Sequence, residues 1–171
     1  LYGGIKMKVT SKGIVNNIID DKYGKRGQCN EFGMPICSLP LKFEDAPANT
    51  VSYAIFLEDK DAYPVSGGFS WVHWTACNIT KTELEENESQ NADFIQGVNS
   101  WMSMQGGSNP PELCSYYGGM APPDATHTYE INVYALDCML DLKNGFYMNE
   151  LFNAMEGHIL DHYNLKGTYK N

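Results

Sequence analysis

The 171-residue chain carries 21 acidic against 12 basic side chains, a formal net charge of -9, which argues against a phosphate-backbone partner such as nucleic acid. Its 43% hydrophobic and 19% charged content describes a globular chain rather than a disordered one, and its length suits one domain over residues 1–171. Five scattered cysteines, an odd number with no C-x-x-C, speak against a disulfide framework or zinc ribbon. Mostly reduced thiols are expected, with Cys29 or Cys37 as the candidates for a single bridge.

In chain order, Ile5 to Thr10 reads as an edge strand. The run VSYAIFL from Val51 to Leu57 is a strong strand candidate, followed at once by the carboxylates of Glu58, Asp59 and Asp61. The run WVHWTACNI from Trp71 to Ile79 is another strand, with His73 on a face shared with Trp71 and Thr75. Residues 81–115, rich in Asn, Gln, Ser and Gly, read as a long connection with helical turns around Leu84 to Phe94. The charge run Glu83 to Glu88 reads as a solvated face. A turn from Gly118 to Pro123 then leads into HTYEINVYAL, from His127 to Leu136. There His127, Tyr129, Ile131, Val133 and Ala135 fall on one face. Met148, Leu151, Phe152, Met155, Ile159 and His162 follow a helical period, so residues 148–163 read as an amphipathic helix despite Gly157. This order, many strands and then a terminal helix, predicts an antiparallel all-β core with helical decoration, or an α+β fold. No apolar run approaches the ~20 residues of a membrane span. The first residues lack the charged-then-apolar order of a signal peptide, so a soluble, cytoplasmic protein is expected.

The polar residues at strand ends each admit a plain reading. Carboxylates after a strand are commonly a solvated turn. A histidine within a strand is commonly bonded to a carbonyl in the core. A P-loop, a dinucleotide fingerprint, H-E-x-x-H and G-x-S-x-G are all absent from the sequence, which argues against the chemistries those motifs serve. A metal site built from His73, His127, Asp59 and Asp61 stays open as an alternative.

Taken together, Asp59-x-Asp61-Ala62, His73-Trp74, Gly118-Gly119-x-x-Pro122-Pro123, His127-x-Tyr129 and Tyr134-Ala135-Leu136-Asp137 resemble the phosphatidylethanolamine-binding protein family. The closer likeness is to its bacterial and archaeal, Raf-kinase-inhibitor-like branch. Thr10-Ser11, Gly157-His158-Ile159-Leu160 and Leu165 to Tyr169 extend the likeness over nearly the whole chain. Lys60 and Tyr63 stand where the family pattern has prolines; Met120, Ala125 and Thr128 replace a usual proline, glycine and basic residue. The resemblance implies a mainly β fold, an antiparallel β-sandwich with a C-terminal helix and short helical turns, with a small pocket for phosphate-like anions walled by Asp59, Asp61, His73, Gly119, Pro123, His127 and Tyr129. On this reading carboxylates near the imidazoles favour the protonated ring, a cationic ring attracts the anion, and amides after the glycines supply further donors. The expected function is non-catalytic: binding of a phosphate-type anion or phospholipid head group, with a kinase or protease as the partner to be inhibited. No cofactor is implied, and a homodimer is compatible. The alternatives are a small hydrolase with His73 or His127 as general base, or the His/Asp metal protein.

Overall fold

The structure, a computed structural model, describes residues 6–171; Ile5, the first residue of the expected edge strand, lies outside the described residues. The strands are β1 (Lys8–Thr10), β2 (Ile14–Val15), β3 (Ile18–Ile19), β4 (Leu41–Glu44), β5 (Ser52–Asp59), β6 (Trp71–Ile79), β7 (Glu83–Leu84), β8 (Ile95–Gln96), β9 (His127–Leu136) and β10 (Ile159–Tyr169). The helices are α1 (Tyr63–Ser66), α2 (Pro111–Cys114) and α3 (Met148–Met155), with 3₁₀ turns at Lys60–Ala62, Glu88–Asn91 and Ser100–Met102.

The strands form two sheets. One has the order β1-β4-β7; the other runs β2-β3-β10-β9-β5-β6-β8. Between them lies the main core. Met7, Val9, Leu41, Phe43 and Leu84 of the small-sheet side meet Tyr53, Ile55, Leu57, Ile131 and Val133 of the large sheet. The alternation of β5 and β9 is the cause, since every second residue turns to the same face. The opposite face of the large sheet is covered in part by α3, where Leu151 and Met155 pack with Ala54, Cys77, Leu136, Leu140 and Phe146. Phe152 meets Phe56 edge to face at 5.2 Å between ring centroids. Strand β5 is therefore buried on both sides, which explains its nearly unbroken apolar run.

The fold is the β-rich sandwich expected, with strands β6 and β9 spanning the residues read from sequence. Three features differ. The pairing of β10 with β3, at Thr168 and Ile18, is parallel, whereas β10 pairs antiparallel with β9 along its length. The helix expected over 148–163 stops at Met155, and the chain ends on β10 rather than on a helix. Gly157, at φ +80°, takes the left-handed conformation that ends helices, and the His158 amide donates to the Met155 carbonyl at 2.9 Å. Ile159, expected to dock the helix, is instead 45% exposed at the start of β10. The acidic run is also not wholly solvated: Glu86 accepts a hydrogen bond from the Tyr23 hydroxyl at 2.7 Å and pairs with Lys22 at 2.6 Å.

Register places one end of the large sheet for function. Asp59 at the end of β5 lies opposite both Trp71 at the start of β6 and Tyr129 near the start of β9. Residues far apart in sequence thus share one rim.

Candidate functional site

Asp59, His73, Pro123, His127 and Tyr129 all line one cavity of about 270 Å³ at this rim. That volume sits just below the usual range for pockets that take drug-sized ligands. Its apolar wall comes from Ala62, Val65, Trp71 and Trp101. Trp101 meets Trp71 edge to face at 5.5 Å and His73 at 5.3 Å between ring centroids.

The two histidines differ. His73 is 3% exposed, and its Nδ1 donates to the Gly118 carbonyl at 2.7 Å, which leaves Nε2 as an acceptor. Burial drives its pKa down to about 4, against the pull of hydrogen bonds to the Gly118 and Gly119 backbone. His73 is therefore neutral at ordinary pH, so a cationic ring in this cavity cannot be His73. His127 lies between two carboxylates: Nδ1 is 2.7 Å from Asp59 Oδ2, and Nε2 is 2.7 Å from Asp124 Oδ1. Burial opposes its charge, but the hydrogen bonds and charges of Asp59 and Asp124 outweigh that and raise its pKa. Both ring nitrogens then serve as donors, the imidazolium form. Asp59 itself is raised by burial, with the His127 hydrogen bond opposing, while the hydrogen bond from His127 lowers the exposed Asp124.

Three buried polar atoms of cavity-lining residues have no protein partner: Asp59 Oδ1, Trp71 Nε1 and the Tyr129 hydroxyl. Burial and the Asp59 charge push the Tyr129 phenol well up, so it remains an O–H donor. An unpaired buried polar group costs about 1–3 kcal/mol. All three belong to residues that line one small cavity.

Two expected wall residues do not line the cavity. The Asp61 carboxylate accepts the Thr128 amide at 2.8 Å and so ties the 3₁₀ turn to β9. The Gly119 amide donates to the Pro35 carbonyl at 2.8 Å, and the Gly118 amide to the His73 carbonyl at 2.8 Å. The glycine amides are consumed within the fold, which corrects their expected role as anion donors. Gly119 is glycine for space: a Cβ there would collide with the Tyr23 carbonyl and press on the Pro35 ring.

Sequence reasoning missed Asp124, Trp71 and Trp101 as site residues. Asp124 stands three residues before His127 in a proline turn, and Trp71 two residues before His73 on the same strand face; both spacings were visible. Trp101 came from the segment with no readable periodicity, and no local signal marked it.

The fold and rim define a β-sandwich with one small polar cavity at a sheet end. The description "Phosphatidylethanolamine-binding protein" matches residues 9–170 of this chain. The chain belongs to the phosphatidylethanolamine-binding protein family. It is 44% identical over 151 residues to an uncharacterized Bacillus subtilis protein, YxkA, covering 85% of this chain and 89% of that one. It is 34% identical over 147 residues to a UPF0098 protein of Chlamydia muridarum, again covering 85% and 89%. In structure it is similar to CT736 of Chlamydia trachomatis, described as a putative phosphatidylethanolamine-binding protein homologue, with a TM-score of 0.79, 30% identity and coverage of 97% and 98%. Escherichia coli YbcL shares the fold at a TM-score of 0.74 and 23% identity, covering 98% and 99%. Among the described residues, no helix is long and apolar enough to cross a membrane.

Proposed function

We propose that the cavity binds a small phosphoryl group, free or on a head group, and holds it without turning it over. The observation that carries this reading is the trio of unpartnered polar atoms beside the doubly clamped His127. Tyr129 and Trp71 offer donors; Asp59 Oδ1 and His73 Nε2 offer acceptors. A guest must therefore both accept and donate. A singly protonated phosphoryl group does so through its oxygens and its P–OH, and the ammonium of an ethanolamine head group adds donors. His127 supplies the positive charge, provided that Asp124 yields its place at Nε2. The Asp124 side chain is 45% exposed, so it can swing into water.

Against turnover stand the partners of the reactive groups. Ser66, the hydroxyl nucleophile in the lining, donates to the Phe69 carbonyl at 2.6 Å. His73 already donates to Gly118. Neither geometry forms a nucleophile–base pair.

The test is a histidine-resolved NMR titration with inorganic phosphate and with phosphoethanolamine. His127 should shift with either ligand at millimolar concentration, and His127→Ala should remove the response elsewhere in the cavity. Asp124→Asn should tighten binding several-fold, because a competing carboxylate is gone. Silence from both cavity histidines would sink the reading. Product formation from phosphomonoesters that His127→Ala abolishes would favour an enzyme instead.

A further inference from the structure

A second cluster lies at the other end of β9. Asp137 and Cys138 follow that strand, and His158 immediately precedes β10. At ~3.3 Å per residue, the ten residues of β9 place this corner about 30 Å from His127. One donor atom from each of Asp137, Cys138 and His158 lies within 4.8 Å of the other two, a grouping found among the described residues. Asp137 is the hub: its Oδ1 is 2.8 Å from His158 Nδ1, and Cys138 is its neighbour in the chain.

The corner is braced by backbone. The Asp137 amide donates to the His158 carbonyl at 3.1 Å. The Ser52 hydroxyl donates to the Cys138 carbonyl at 2.6 Å. The His158 amide closes on the Met155 carbonyl at 2.9 Å, which ties this corner to the end of α3. The Asp137 and His158 side chains are 40% and 46% exposed, which leaves room for solvent to join the shell.

We propose that Asp137, Cys138 and His158 bind a divalent transition-metal ion of the zinc type, with water completing the tetrahedron. One sulfur, one imidazole nitrogen and one carboxylate oxygen match that metal class and not the all-oxygen shells of calcium or magnesium. With bonds of about 2.0–2.3 Å, tetrahedral zinc separates neighbouring ligand atoms by about 3.3–3.7 Å, so side-chain shifts of about 1 Å complete the site. On binding, the Cys138 thiol loses its proton to solvent and the thiolate coordinates. His158 binds through neutral Nδ1 with its proton on Nε2. The metal's two positive charges are then balanced by the thiolate and the carboxylate.

The experiment is titration of the reduced, purified protein with cobalt(II). Wild type should develop a thiolate-to-cobalt charge-transfer band in the near ultraviolet that saturates at one equivalent and bleaches on adding zinc. Cys138→Ser should remove the band, and His158→Ala should weaken cobalt binding by at least about tenfold. The Cys29→Ser/Cys37→Ser double variant should keep the band, as should His127→Ala, which separates this site from other thiols and from the cavity. Zinc should also slow iodoacetamide labelling of Cys138, read on its peptide by mass. No thiolate band at millimolar cobalt, a band that survives Cys138→Ser, or labelling of Cys138 that zinc does not slow would each overturn the proposal.

Discussion

Two imidazoles line one cavity, one neutral and one cationic, because different groups face their nitrogens. His73 meets a carbonyl in a dry setting; His127 meets two carboxylates. Each leaves a mark on stability. For His127 the folded pKa is raised above 6.5, so its contribution is complete below pH 6.5 and fades as pH rises through the folded value. His73 runs the other way. Its folded pKa near 4 lies below the unfolded 6.5, so the unfolded chain takes up the proton first and stability falls as pH drops from 6.5 towards 4, by roughly 3 kcal/mol. Urea unfolding from pH 4 to 9 should therefore show a maximum near or somewhat above pH 6.5. His127→Ala should flatten the alkaline slope and leave the acid slope. An acid slope that persists in a folded His73→Gln variant would show that other groups cause it. The sequence put both rings at the site through their strand frames and the family likeness. It could not rank their charge, because the groups that decide it, the Gly118 carbonyl and the Asp124 carboxylate, are brought in by turns.

At the scale of elements, strands were readable where alternation and burial agree, as in β6 and β9. The C-terminal segment misled because β10 pairs along its length with β9 on one side and touches β3 on the other only near its end. Half-buried positions along it carry no clear period of two, and a helical spacing of apolar residues survives by accident. What decided the matter was the ladder from Ile159–Leu136 to Tyr169–His127, a long-range pairing that local periodicity does not encode. Two glycines test the distinction between backbone and space. Gly157 sits at φ +80° with open space around a would-be Cβ, so Gly157→Ala should cost only the left-handed strain, about 1–2 kcal/mol. Gly119 has an ordinary φ but the Tyr23 carbonyl oxygen directly against it, with the Pro35 and Tyr117 rings beside. Gly119→Ala should cost at least about 3 kcal/mol, or prevent folding, since a carbonyl cannot be pushed aside like a flexible side chain. Denaturant midpoints of the two variants would decide; equal costs would mean that the Tyr23 turn yields more easily than its packing implies.

At the scale of the molecule, the strand that carries His127 and Tyr129 into the cavity is paired along its length with β10. Tyr169 lies directly opposite His127 across β10 and β9. Its ring is 1% exposed and stacks under the Arg26 guanidinium at 4.2 Å. Its hydroxyl accepts the Arg26 amide at 3.2 Å and donates to the Asp21 carbonyl at 2.8 Å. One side chain thus fastens the N-terminal loop, the final strand and the strand that carries His127 and Tyr129. Tyr169→Ala would remove the buried ring and strand two backbone groups, at about 3–5 kcal/mol. Tyr169→Phe would keep the ring and lose only the hydrogen bonds, at about 1–2 kcal/mol. Because the fastening adjoins the cavity, the alanine variant should also blunt the His127 response to phosphoethanolamine under conditions where it is still folded, whereas the phenylalanine variant should retain it. Urea unfolding paired with the NMR titration separates these effects. If Tyr169→Ala loses stability but His127 titrates with ligand as in wild type, the terminal strand supports the fold without shaping the cavity.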